Sequence, residues 1–137
     1  MEMPVMSPWL FVYGTLRAAI DHPMHRELSR RARYAGMARL PGRLYDLGPY
    51  PGAVPDPHGR HEVLGELYEM HDPAALLPVL DEYEGATTAG ERPGEYRREL
   101  CPVTLADGST RRAWVYLLNQ PPPGARLIEN GDYANPG

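Results

Sequence analysis

The apolar residues of this chain fall in short runs separated by glycine and proline, and the period of each run changes along the sequence. Leu10-Phe11-Val12 is continuous and stops at Gly14, as expected of a buried strand entering a turn. From Pro23 to about Ala32, Met24, Leu28 and Ala32 share one helical face, with Asp21 or His22 near the start and Gly36 beyond the end. Tyr34 to Leu40 and Arg43 to Leu47 read as extended, with Pro41-Gly42 as the turn between them. The stretch from Gly48 through His58-Gly59 carries so much Pro and Gly that a surface loop edging a site is expected.

Glu62 to Met70 alternates with period two: Leu64, Tyr68 and Met70 lie on one face, Val63 and Leu67 on the other. Both faces are apolar enough to be covered, as in a barrel or a packed sheet. Asp72-Pro73 supplies an N-cap and a first-turn proline for a helix running toward Gly85, with a kink or a split expected at Pro78. Ala86 to Gly94 is a loop, and Tyr96 to Leu105 and Arg111 to Leu118 are strands joined by an Asp107-Gly108 hairpin turn. Beyond Asn119, Pro121-Pro122-Pro123-Gly124 breaks regular structure, and the Pro/Gly-rich tail 119–137 is expected to be extended or loosely packed. Roughly six strands to two helices, without regular alternation, point to an α+β fold over a doubly wound one.

The 137 residues suit a single domain spanning 1–137. With 18 Asp and Glu against 14 Lys and Arg, and no basic stripe interleaved with aromatics, a nucleic-acid partner is not expected. Arg30-Arg31-Ala32-Arg33 reads as a helix end or solvated face. No run approaches membrane-spanning length and the N-terminus lacks signal-peptide features, so a cytoplasmic protein without a membrane partner is expected. The single cysteine, Cys101, reads as a buried, inert thiol.

Two stretches carry candidate chemistry. A strand that ends in Tyr13-Gly14-Thr15-Leu16 leaves consecutive backbone N–H groups without ladder partners, which is either a nest for an anion or a tight turn in which Gly14 supplies positive φ. Leu80-Asp81-Glu82-Tyr83-Glu84-Gly85 puts three acids in four positions. At about 100° per residue, Leu76, Leu77, Leu80, Tyr83 and Glu84 fall on one side, Asp81 at the border and Glu82 nearly opposite. An inward Glu84 loses hydration, which raises a carboxyl pKa toward the range of a general base; the structural alternative is a solvated Glu84, or one paired with Arg97 or Arg98. The five histidines form no metal-binding pair, so no metal is expected. There is no Gly-x-Ser-x-Gly elbow, P-loop or Gly-x-Gly-x-x-Gly. The tyrosines, among them Tyr13, Tyr45, Tyr50, Tyr68, Tyr83, Tyr96 and Tyr116, either line a pocket or pack as partly buried residues.

Taken in order, Phe11-Val12-Tyr13-Gly14-Thr15-Leu16, Gly42-Arg43-Leu44-Tyr45-Asp46, Tyr50-Pro51-Gly52, Gly65-Glu66-Leu67-Tyr68, Leu80 to Gly85, Tyr96-Arg97-Arg98 and Ala113-Trp114-Val115-Tyr116 form a recognisable series. With it the chain resembles the γ-glutamylcyclotransferase-like family, especially its small bacterial members and the γ-glutamylamine cyclotransferases. The resemblance implies a compact mixed β-barrel flanked by short helices. It implies that the backbone of Tyr13, Gly14, Thr15 and Leu16 binds the carboxylate of a glutamyl group, and that Glu84 is the catalytic acid/base. The implied reaction is intramolecular aminolysis of a small-molecule γ-glutamyl amine or peptide to 5-oxoproline and free amine, without a cofactor. The variable regions 48–59 and 86–94 would meet the leaving amine, whose identity the resemblance leaves open, and no oligomeric state is implied. A non-catalytic module binding a small carboxylate in the same cavity is the alternative on this fold.

Overall fold

The structure, a computed structural model, describes residues 7–14, 23–47, 51–56, 58–84, 96–121 and 123–133, without the side chains of Pro23, Met24 and Glu84. β1 (Trp9–Val12) leads to α1 (Pro23–Arg31), β2 (Ala32–Asp46), β3 (Pro51–Pro55) and β4 (Glu62–Met70). α2 (Pro73–Glu84), β5 (Tyr96–Leu105), β6 (Thr110–Leu118) and β7 (Arg126–Leu127) complete the order. β2 pairs with β4, β4 with β1, β1 with β6 and β6 with β5. β5 then returns to β2 through Ala38↔Leu105 and Arg39↔Thr104, closing a five-strand barrel. β1 and β6 run parallel and the other pairs antiparallel, so the barrel is mixed, and closure removes the open sheet edges that invite association.

Period-two patterning builds the core. Phe11, Ala38, Leu40, Val63, Leu67, Val103, Ala113, Val115 and Leu117 meet in one buried cluster drawn from every barrel strand, the barrel interior. Leu10, Val12, Tyr68, Met70, Tyr96, Tyr116 and Leu118 form a second cluster with Leu28 of α1 and Leu76, Leu77 and Leu80 of α2. The helices thus cover the outer face, and both faces of β4 are buried as its alternation predicts. The carbonyl of Asp72 accepts the Ala75 and Leu76 N–H groups, opening α2, and Pro78 sits inside a single uninterrupted helix. The hairpin at Asp107-Gly108 also forms, with Gly108 at φ 89° and Asp107 accepting the Ser109 N–H and hydroxyl. Ser109's two donors hold the Asp107 carboxyl below its ordinary pKa. Arg30 and Arg31 end α1 and pair with Glu27, and Arg33 pairs with Glu69, all at the surface.

Two expectations are corrected and a third is narrowed. Pro41-Gly42 is not a turn: β2 passes through it as one 15-residue strand, pairing with β4 up to Pro41↔Glu62 and with β3 from Gly42↔Pro55. Glycine is needed at that exchange because a Cβ on Gly42 would lie 2.7 Å from the Val54 carbonyl oxygen. The Pro/Gly stretch after Gly48 holds β3, whose Pro51, Gly52 and Ala53 are buried, and Gly52 is tight against Leu118. Of the two outcomes expected for the tail, the described residues show the extended one. β7 pairs with β2 at Tyr45↔Leu127 and Asp46↔Arg126, the Ile128 N–H donates to Leu44 O, and the Ile128 side chain is buried.

Cys101 is buried against the barrel interior. Burial raises its thiol pKa, Glu99 raises it further and Arg97 opposes them. Little thiolate therefore exists near neutral pH, and only the thiolate is nucleophilic. A thiol reagent at pH 7.5 is expected to label the native protein far more slowly than the urea-unfolded chain, with native labelling rising as pH climbs through the shifted pKa. Equal rates in the two states would contradict this.

Candidate active site

The ends of four strands meet at one mouth of the barrel. Leu10 pairs in parallel with Trp114, so the C-terminal ends of β1 and β6 point the same way. Tyr96↔Leu118 brings the start of β5 to that end, and β3 starts there too, with Gly52 against Leu118. Tyrosine hydroxyls tie these ends together. The Tyr13 hydroxyl donates to Tyr116 O and accepts the Ala53 N–H at 3.1 Å, linking β1, β6 and β3. The Tyr96 hydroxyl donates to Pro51 O at 2.6 Å. Tyr13, Tyr96 and Tyr116 are each buried, so they act here as hydrogen-bonded struts within the wall. Tyr13→Phe leaves the buried Ala53 N–H without this acceptor and is expected to cost about 1–2 kcal/mol in urea unfolding, with the fold retained. An unchanged midpoint would contradict the strut.

Gly14 stands at this mouth. It is not among the positive-φ glycines of the described residues, which are Gly36, Gly108, Gly124 and Gly131. Its constraint is space instead: a Cβ there would sit 3.0 Å from Pro51 Cγ. Glycine lets the chain leaving β1 pass close to the start of β3. Of the four residues expected to bind a carboxylate, Tyr13 and Gly14 are therefore together at the mouth, while Thr15 and Leu16 lie outside the described residues, as does the 86–94 loop.

α2 approaches the same mouth from the opposite end. β4 finishes beside the start of β1, where the Met70 N–H donates to Pro8 O, and α2 begins three residues later. By Asp81 the helix has reached Arg98 and Tyr116, two residues along β6 from Trp114 and so on the level of Val12. Asp81 is gripped from three sides. Arg98 Nε donates to Oδ1 at 2.8 Å and its Nη2 to Oδ2 at 3.1 Å, while the Tyr116 hydroxyl donates to Oδ1 at 2.8 Å. The Arg98 guanidinium also lies 4.5 Å from the Trp114 ring centre, a cation–π contact that fixes its plane. Glu84 ends the helix three residues on, about 4.5 Å farther along its axis at 1.5 Å per residue. Its backbone is helical and its side chain lies outside the described atoms.

The helical face expected to be inward is rotated in the structure. Leu76, Leu77 and Leu80 are buried, but Tyr83 is 37% exposed, whereas Asp81 is drawn toward β5 and β6 by Arg98 and Tyr116. Of the two arginines considered for Glu84, Arg98 pairs with Asp81 and Arg97 with Glu99. A signal existed: a hairpin pivoting on Asp107-Gly108 sets Arg98 opposite Tyr116, and the two arise together in front of α2. Sequence reading also passed over Glu66, the one buried charged residue among the described residues, although period two puts it on the face of Leu64, Tyr68 and Met70. Glu66 pairs across the sheet with Val12, beside the Gly14 turn, and accepts the Tyr68 hydroxyl at 2.8 Å. Among the described residues no three His, Cys, Asp or Glu gather closely enough to hold a metal ion, and no helix is long and apolar enough to cross a membrane.

Comparisons with known proteins agree with this architecture. The family model for gamma-glutamyl cyclotransferase, AIG2-like proteins matches residues 10–135. The gamma-glutamylcyclotransferase family protein YtfP of Escherichia coli (strain K12) is 35% identical over 131 residues, covering 90% of this chain and 94% of that protein. The gamma-L-glutamyl-butirosin B gamma-glutamyl cyclotransferase of Niallia circulans is 31% identical over 117 residues, covering 85% of this chain and 70% of that one. The crystal structure of an AIG2-like protein from Mus musculus superposes with a TM-score of 0.67 at 25% identity, over 85% of this chain and 80% of that chain. The chain, with its closed mixed barrel and short helices, belongs to the gamma-glutamyl cyclotransferase, AIG2-like family and is an enzyme of the γ-glutamylcyclotransferase type.

Proposed function

We propose that this enzyme converts a γ-glutamyl amine or small γ-glutamyl peptide to 5-oxoproline and free amine, with Glu84 as general acid/base and the turn Tyr13-Gly14-Thr15-Leu16 as the seat of the glutamyl carboxylate. The observation that carries the reading is the convergence of the Gly14 turn and the last turn of α2 on one mouth of the barrel. The α-ammonium of the bound glutamyl group gives a proton to Glu84. The free amine then attacks the γ-carbonyl carbon of the same molecule, forming a C–N bond and an oxyanion. Collapse of the oxyanion breaks the bond to the leaving nitrogen, which takes the proton back from Glu84; the attacking nitrogen, cationic after the addition, sheds its second proton, and the released amine takes it up as an ammonium, so one carboxyl serves as base and then as acid.

The chemistry is intramolecular, so the protein's other task is to fold the substrate chain until amine and carbonyl meet, which removes an entropic part of the barrier. Backbone N–H groups of the turn suit either the carboxylate or the developing oxyanion. No step requires a cofactor, and a reaction confined to small solutes fits a cytoplasmic protein. The test is a panel of γ-glutamyl amines and dipeptides followed by mass spectrometry. Equimolar 5-oxoproline and amine are expected from at least one member, and absence of 5-oxoproline from every member would overturn the reading.

A further inference from the structure

Two tyrosines from different strands close on the three residues that open β3. The Tyr96 hydroxyl donates to Pro51 O at 2.6 Å, and the Tyr13 hydroxyl accepts the Ala53 N–H at 3.1 Å. Between them a Cβ on Gly52 would lie 2.9 Å from Leu118 Cδ2, so Leu118 closes the third side. β3 already pairs with β2 at five positions, from Gly42↔Pro55 to Asp46↔Pro51, and the clamp adds nothing to that ladder. What it adds is a fixed place for the Pro51 ring, whose Cγ and Cδ would lie 3.0 and 3.2 Å from a Cβ on Gly14. A buried tyrosine hydroxyl needs some partner for stability alone. Here both tyrosines choose main-chain groups of β3 beside the glycine of the proposed carboxylate seat.

β5 carries a second tie of the same kind. Arg98, two residues from Tyr96 and on the same face of the strand, holds Asp81 of α2 through two hydrogen bonds. One strand face thus grips α2 a turn before Glu84 and grips β3 where it meets Gly14, with about 6.6 Å of strand between the two grips. We infer that Tyr96 is a positioning residue for substrate binding: through Pro51 it sets where the backbone at Gly14 stands relative to the acid end of α2, and so how well the glutamyl carboxylate is held. The inference rests on the proposed carboxylate seat. Placement within about 0.5 Å is what such a site requires, and hydrogen bonds to the supporting groups supply it. The two grips then have separable effects: Arg98 with Asp81 acts on the acid and on turnover, Tyr96 on the carboxylate and on affinity.

The experiment compares the parent with Tyr96→Phe, which keeps the ring and deletes only the hydroxyl. The ligands, followed by NMR titration, are 5-oxoproline and 2-pyrrolidinone, the same ring with and without the carboxylate. The substrates are a γ-glutamyl amine and the 4-aminobutanoyl amide of the same amine, which lacks the carboxylate. Tyr96→Phe is expected to weaken 5-oxoproline binding and to raise KM for the γ-glutamyl amine by about tenfold each, with kcat and both carboxylate-free compounds little changed. A Tyr96 that only supports the fold would lower the unfolding midpoint and leave the affinities of the folded protein alone. Gly14→Ala is expected to lose 5-oxoproline binding through its contact with Pro51, and adding Pro51→Ala, which removes Cγ and Cδ, to restore most of it. Unchanged 5-oxoproline affinity and KM in Tyr96→Phe, equal losses with and without the carboxylate, or additive losses in the double variant would overturn the positioning role. A parent that cyclises no γ-glutamyl compound yet binds 5-oxoproline, with Tyr96→Phe weakening it, would support the positioning role and sink the cyclisation reading instead.

Discussion

Glu84→Gln is expected to keep the far-UV spectrum and unfolding midpoint of the parent while 5-oxoproline release falls by about 10²- to 10⁴-fold, the usual contribution of a positioned acid or base. The loss should fall on kcat more than on KM, because an isosteric amide still fills the space but neither takes the ammonium proton nor returns one to the leaving amine. The acid-side fall of kcat/KM with pH, which reports the base becoming protonated, should flatten in the residual activity. Near-parental turnover in a folded Glu84→Gln protein would remove Glu84 from the mechanism and leave the family's turn without its acid.

Asp81→Ala is the second large effect, and it acts through position. Asp81 takes both Arg98 donors and the Tyr116 hydroxyl, so it fastens the last turn of α2 to β5 and β6 one turn before Glu84. Removing it leaves Arg98 without its carboxylate partner. A fully buried pair broken this way costs more, but each of these side chains is about a fifth exposed, so the expected loss is about 2 kcal/mol. A shift of about 1 Å at Glu84 would lower kcat on the order of 100-fold, with KM changing little. Asp81→Asn, which keeps an oxygen for Tyr116, should recover part of the rate. A purely structural Asp81 would instead lower the unfolding midpoint while leaving kcat of the folded enzyme intact.

How much of this was legible in the sequence depends on how local each signal is. β1, the Asp72-Pro73 start of α2, the two-faced β4 and the Asp107-Gly108 hairpin are set by residues within a few positions of one another, and all form. What the sequence hid was decided by distant partners. Pro41-Gly42 reads as a turn until Val54 is laid against Gly42, and Pro51-Gly52 reads as a loop until Leu118 fills the space a side chain would occupy. Ile128 looks like part of a tail because its partner, Leu44, is far away along the chain. The same holds at the site. The Tyr13-Gly14 turn and the acidic helix were visible as separate motifs. That Asp81 takes Arg98, that Tyr13 braces Ala53 and that Glu66 lines a cleft under α1 follow only from barrel closure, which brings those strands side by side.

The central claim is that the substrate's own amine, not water, displaces the leaving amine. The most direct measurement is turnover of a reactive γ-glutamyl amine in H₂¹⁸O, with products resolved by mass spectrometry. Cyclisation predicts unlabelled 5-oxoproline, equimolar with free amine. Glutamate carrying ¹⁸O in its γ-carboxylate as the product would identify a hydrolase and contradict the account.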